Sequence, residues 1–164
     1  MADSGNSYAA PAFDLAIETC LRQGTLFRLQ WEWVDLDKHL IRIPLSARGA
    51  ENKGVPAALP LSIKAHLVLQ SLHPVDENGA LQAEPFGPVL ATTPSAVRCI
   101  WKQVLPLLGI KNLRWHDLRH GAASHLFEKG LHPFEDASIT GHKSTQMLKR
   151  YTPLKPESLI AKLG

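Results

Sequence analysis

Apolar residues in the first part of the chain recur at helical spacing. Phe13, Ala16, Ile17, Cys20 and Leu21 share a face, and after an interruption at Gly24 the pattern resumes at Leu26, Phe27 and Leu29. This spacing predicts two short helices meeting near Gln23 and Gly24. The period then changes. Residues 39–45 (HLIRIPL) alternate and are rich in Ile and Leu, and residues 55–61 (VPAALPL) form a second extended run limited by prolines. The polar, glycine-bearing SARGAENKG between them makes the pair a β-hairpin with a long tip.

Ser62 is a candidate N-cap for a helix over 63–72, and Thr93 with Pro94 opens another that runs to about residue 108. The intervening 73–92 holds three prolines and two glycines without periodicity, which predicts a surface loop. The last third is helical again. A helix over about 116–129 is closed by Gly130, and a short one over 133–139 is ended by Gly141. A third over 145–151 is capped by Ser144, and a last one starts at Pro156. Trp31, Trp33, Trp101 and Trp115 lie in or beside apolar periodic segments, so they are expected in the core and its margins. The fold class that follows is mainly α with one small antiparallel β-hairpin or sheet (α+β).

At 164 residues, 45% of them hydrophobic, the chain is long enough for one domain with its own core. Cys20 and Cys99 stand far apart with no C-x-x-C pair, which argues against a zinc ribbon or a disulfide-stapled secreted module and suits a reducing cytoplasm. No apolar run approaches the ~18–20 residues that span a bilayer. The opening residues have neither the basic start nor the apolar run of a secretory signal, so 1–12 are expected to be a frayed leader ahead of a domain over 13–164. The net charge of +3 is unevenly placed: residues 111–164 carry nine Lys/Arg against five Asp/Glu, and five of the eight histidines. A polyanion is therefore a candidate partner.

The chemistry concentrates in the same third. His116 and Arg119, three apart, leave one face near a helix N-terminus, where unpaired N–H groups and a partial positive charge also favour a phosphate. His142 follows Gly141. Tyr151 lies in KSTQMLKRYTP, preceded by Lys149 and Arg150 and followed by Pro153. A tyrosine hydroxyl, with a pKa of about 10, is a poor nucleophile until cations or a base favour its oxyanion, so Tyr151 requires a cationic pocket to react. A rival use of the histidines is zinc, since His116 and His120 are spaced i, i+4 with His125 and His132 beyond. Position 117 is Asp rather than the glutamate of H-E-x-x-H, and no cysteine is near, so no metal site is expected.

The strings LRWHDLRHGAASHLFEKG and ITGHKSTQMLKRYT resemble the catalytic domain of the tyrosine recombinases, the phage-integrase family of DNA-cutting and DNA-joining enzymes. Upstream, TCLRQGTLFRLQWEWVDLDKHLIRIP is similar to the family's first arginine box, and LPLS at 59–62 to the end of its β-hairpin. The resemblance implies the tyrosine recombinase catalytic-domain fold. It further implies that Arg22 and Arg119 clamp a scissile phosphate, that His116 assists proton movement, that His142 donates to a non-bridging oxygen, and that Tyr151 is the nucleophile. The resemblance also implies a lysine from the hairpin as general acid. Lys53 is the only lysine in that loop, while Arg48 stands nearer the usual place; Lys53 is preferred because an arginine does not readily release a proton. Thr25 is a second departure, at a position where the family commonly has an acid.

The implied reaction leaves a 3′-phosphotyrosine and a free 5′-hydroxyl on double-stranded DNA, with no metal and no cofactor. Arg48, Lys143, Lys149 and Arg150 are implied DNA contacts. The resemblance also implies a preceding DNA-binding domain absent from this chain, a homotetramer on DNA for the longer parent, and a monomer for this part alone. The expected setting is the cytoplasm, at the nucleoid of a bacterial or phage-encoded system. The alternative is a catalytically inactive DNA-binding or assembly module of the same fold. Thr25 and the displaced lysine favour that alternative, and the joint presence of Arg22, His116, Arg119, His142 and Tyr151 opposes it.

Overall fold

The computed structural model describes residues 5–48 and 54–141. Helix α1 (Ala9–Thr19) lies at the centre of the domain, in contact with four other helices. It begins inside the stretch expected to be a leader. Asn6 accounts for this: its carbonyl accepts from the Ala9 N–H, its Oδ1 accepts from the Tyr8 N–H at 3.0 Å, and its side-chain amide donates to Thr92 Oγ1 at 2.9 Å. Ala9, Ala12 and Ala16 are buried, and small side chains let neighbouring helices approach closely. The expected second helix is α2 (Gln23–Leu26), a single turn.

The hairpin forms as β2 (Leu40–Arg42) paired antiparallel with β3 (Ala58–Pro60), Ile41 opposite Leu59. Both of those side chains are fully buried. The strands are shorter than the alternation predicts. Pro44 has no N–H to give the ladder, and residues 45–48 wind into a 3₁₀ turn instead. A third strand, β1 (Val34–Asp35), adds to the outer edge of β2, giving the order β1-β2-β3. Its two residues are too few to show a period.

Ser62 caps α3 (Ile63–Leu72) by accepting from the Ala65 N–H at 3.1 Å, and Thr93 caps α4 (Pro94–Leu107) in the same way at 3.2 Å. The 73–92 loop is as expected without helix or strand, but its end is not surface: Val89 and Leu90 are buried, and the Val89 N–H donates to the Leu29 carbonyl. Helices α5 (Trp115–Glu128) and α6 (Pro133–Thr140) complete the described chain. The helices expected over 145–151 and from Pro156 lie outside the described residues. Trp31, Trp101 and Trp115 are buried and Trp33 packs at the core margin. Among the described residues no helix is long and apolar enough to cross a membrane.

Candidate active site

Arg22 owes its place to the joint between two helices. α1 ends at Thr19, and Cys20 adopts a left-handed conformation (φ 52°) that turns the chain. Leu21 is then buried, and Arg22, extended, opens α2. The Arg22 Nη1 donates to the Gly54 carbonyl at 2.9 Å, on the far side of the hairpin tip.

Arg119 reaches the same region from α5. The start of α5 is fixed by Asp117, whose carboxylate accepts from the Arg114 backbone N–H at 2.8 Å and pairs with the Arg114 guanidinium at 3.0 Å. These bonds hold the Asp117 carboxyl below its usual range. Trp115 packs edge-on against Trp101 and tilts against Phe27, while Trp101 packs on Phe13 of α1. The start of α5, with His116 and Arg119, is thereby pinned to α1, to α4 and to Phe27 at the end of α2. Arg119 is only 5% exposed. Its two terminal nitrogens donate to the carbonyls of Cys20 and Thr140.

Those bonds close a ring through the chain. Arg119 holds Cys20, two residues before Arg22; it also holds Thr140, one residue before Gly141. The Gly141 backbone touches that of Gly54, whose carbonyl holds Arg22. Guanidinium suits this task, because its planar fork presents five donors in fixed directions and stays charged. Backbone carbonyls orient the fork without contributing a formal negative charge.

His116 stands in the field of both arginines. Burial pushes its pKa below the usual histidine value, and the charges of His120, Arg119 and Arg22 add to that against the opposing pull of Asp117. The imidazole is therefore neutral at pH 7 and available to accept a proton. The rings of His116 and His120 meet edge to face, centroids 4.9 Å apart. Among the described residues no group of three or more His, Cys, Asp or Glu is arranged to hold a metal ion.

Of the residues singled out in the sequence, Arg22, His116 and Arg119 are thus brought together. Arg48 is held elsewhere, its Nε donating to the Ile43 carbonyl at 2.9 Å at the exit of β2. Lys53, His142, Lys143, Lys149, Arg150 and Tyr151 lie outside the described residues. The carbonyls of Cys20, Gly54 and Thr140 went unnoticed in the sequence, since any residue carries one; only Gly141 left a signal, as a helix stop. A cleft of about 830 Å³ lies along the β1–β2 side, lined by Trp31, Asp35, His39, Arg42 and His66 among others. None of Arg22, His116 and Arg119 lines it.

The chain is 38% identical over 152 residues to the shufflon-specific DNA recombinase of Escherichia coli, a match covering 92% of this chain and 36% of the relative. It is 26% identical over 155 residues to the integrase of Salmonella phage P22, covering 89% and 39%. The chain therefore spans less than two-fifths of the length of these relatives. Among solved structures, the catalytic domain of bacteriophage HP1 integrase superposes with a TM-score of 0.67 at 17% identity, covering 98% of this chain and 84% of that one. The Tn1549 transposon integrase, in complex with circular intermediate DNA, gives 0.70 at 16%, covering 99% and 63%. These likenesses establish the tyrosine recombinase catalytic-domain fold. Residues 2–158 match the phage integrase family, and the chain belongs to it.

Proposed function

We propose that this chain is the catalytic domain of a site-specific DNA recombinase that cuts and rejoins double-stranded DNA through a covalent tyrosine intermediate. The observation that carries this reading is the convergence of Arg22 and Arg119, ninety-seven positions apart in sequence, on His116. Two fixed guanidiniums suit the non-bridging oxygens of a phosphodiester, where negative charge builds up as a nucleophile adds. The names of the relatives, a DNA recombinase and an integrase, support the same reading.

In this mechanism the Tyr151 oxygen attacks phosphorus and His116 takes up the phenolic proton. The phosphorus–O5′ bond breaks, and Lys53 protonates the departing oxygen. His142 donates to a non-bridging oxygen. The products are a 3′-phosphotyrosine and a 5′-hydroxyl, and a 5′-hydroxyl from another strand reverses the steps to rejoin DNA. No metal or cofactor takes part. Arg48, Lys143, Lys149 and Arg150 contact the DNA backbone, so binding weakens as salt rises. Four copies assemble on DNA, and without DNA the domain is monomeric. It works in the cytoplasm, at the nucleoid.

The test is a pool of nicked duplexes with randomised sequence around the nick, incubated with the chain and resolved under denaturing conditions. A DNA-linked species should form and should vanish in Tyr151→Phe; adduct surviving that change overturns the nucleophile assignment. Salt-sensitive binding without any adduct would instead support the inactive DNA-binding module, the reading that Thr25 favours.

A further inference from the structure

Two left-handed glycines meet beside Arg22. Gly54 (φ 62°) and Gly141 (φ 69°) lie against each other so closely that neither has room for a side chain. A Cβ on Gly54 would stand 2.1 Å from the Gly141 carbonyl oxygen and 3.1 Å from Arg22 Nη1. A Cβ on Gly141 would stand 2.0 Å from the Gly54 carbonyl oxygen and 3.2 Å from Pro56 Cδ. The contact is reciprocal and made of main chain on both sides, so no side-chain rotation can relieve it.

The Gly54 carbonyl does double service in this arrangement. It accepts from Arg22 Nη1 at 2.9 Å, and it is also the group that Gly141 abuts. Gly141 directly follows Thr140, a fully buried residue whose carbonyl is held by Arg119. The glycine pair therefore joins the hairpin, whose Gly54 carbonyl holds Arg22, to the end of α6, whose Thr140 carbonyl is held by Arg119.

We infer that Gly54 and Gly141 are positioning residues, a side-chain-free clasp that holds Arg22 at its working distance from Arg119; this role rests on the recombinase reading above. Real Cβ atoms do not come within about 3.0 Å of another heavy atom, so an alanine at either position forces the two backbones apart by roughly 1 Å. A displacement of that size at a phosphate clamp lowers rate by about 100-fold. Affinity for the duplex, spread over many backbone contacts, changes little. Gly130 supplies the control: it also has a positive φ (82°), yet its Cβ position is open, with nothing within 4 Å. An alanine there pays the same conformational strain without a clash.

The experiment measures adduct formation on nicked duplex, duplex affinity and Tm for the chain and for Gly54→Ala, Gly141→Ala, the double variant and Gly130→Ala. Each single clasp variant should form adduct about 100-fold more slowly at nearly unchanged duplex affinity. The double variant should be no slower than the worse single, because one contact is broken in all three. Gly130→Ala should lose Tm and keep its rate. Clasp variants that react at the rate of Gly130→Ala, or effects that multiply in the double variant, overturn the inference. A nuclear Overhauser contact between the α-protons of Gly54 and Gly141 in the unsubstituted chain reports the clasp even where a variant does not fold, and its absence also overturns it. If the unsubstituted chain forms no adduct, the recombinase reading and the positioning role fall together, while the Overhauser contact and the coupling of the two Tm losses still decide whether the clasp exists.

Discussion

Arg119→Lys isolates the structural part of Arg119 from its charge. The side chain is 5% exposed and its two terminal nitrogens serve two carbonyls, of Cys20 and Thr140, from different helices. Replacement by methionine would remove the donors but also relieve the cost of burying a charge, two effects of opposite sign. Lysine keeps the charge and keeps that cost. Its single ammonium is a point donor on a flexible stem and does not span two acceptors held by a planar fork. At least one carbonyl loses its donor, and a buried polar group so deprived costs about 1–3 kcal/mol. For a domain of this size that corresponds to a fall in Tm of about 2–12 °C. Urea titration should show the midpoint shifting at constant m, since the surface exposed on unfolding is unchanged. Stability within about 0.5 kcal/mol of the original would mean that the fork is not bracing the two carbonyls, and the ring connecting Arg22 to Arg119 would have to be abandoned.

Three further outcomes follow from the same geometry. Trp115→Ala should cost about 3–5 kcal/mol, because a 9% exposed indole packed on Trp101 and Phe27 leaves a large cavity at the start of α5; near-ultraviolet circular dichroism and urea titration read both packing and stability. Ser62→Ala should cost about 1–2 kcal/mol, since one hydroxyl both accepts from the Ala65 N–H and donates to Glu18 Oε2 at 2.7 Å; the urea midpoint should move, and unchanged stability would refute the cap. For His116 the folded pKa lies below the ordinary 6.5, so the unfolded chain takes up the proton first as pH falls. That contribution to stability is complete above 6.5 and is lost as pH drops below it, and His116→Gln should flatten the slope of unfolding free energy between pH 7.5 and 5.5; an unaltered slope would contradict the shift.

What the sequence disclosed was whatever has a local cause. Ser62, Thr93 and Gly141 announce helix ends through their own side chains or the lack of one, and each stands where the spacing put it. Ile41 and Leu59 declare the hairpin through alternation. β1 escaped because two residues carry no period, and the early start of α1 escaped because Ala9, Ala10 and Ala12 are small enough to look like linker while fitting a helix crossing. The burial of Val89 and Leu90 is decided by backbone bonding to Leu29, sixty positions away, which no window of sequence contains. At the candidate site, the three-residue spacing pointed to His116 and Arg119 and the family resemblance to Arg22, and the fold brings the three together. The acceptors holding the arginines were not legible, since a carbonyl belongs to every residue and only the folded chain selects which one is used.

That selection bears on the one departure from the family pattern next to Arg22. Position 25 holds a buried threonine where an acid is common, and a carboxylate there would steady the guanidinium by charge. In this chain the Gly54 carbonyl at 2.9 Å supplies an acceptor without a formal charge. A carboxylate beside the guanidinium would cancel part of its positive field, whereas a carbonyl dipole orients the fork and leaves its net charge intact. The consequence is a different dependence on the rest of the fold: an acid three residues away would travel with Arg22, but Gly54 belongs to the hairpin and is fixed in turn by Gly141 at the end of α6. Through Gly54 the seating of Arg22 therefore depends on the hairpin and on the end of α6 as well as on the helix joint that carries it.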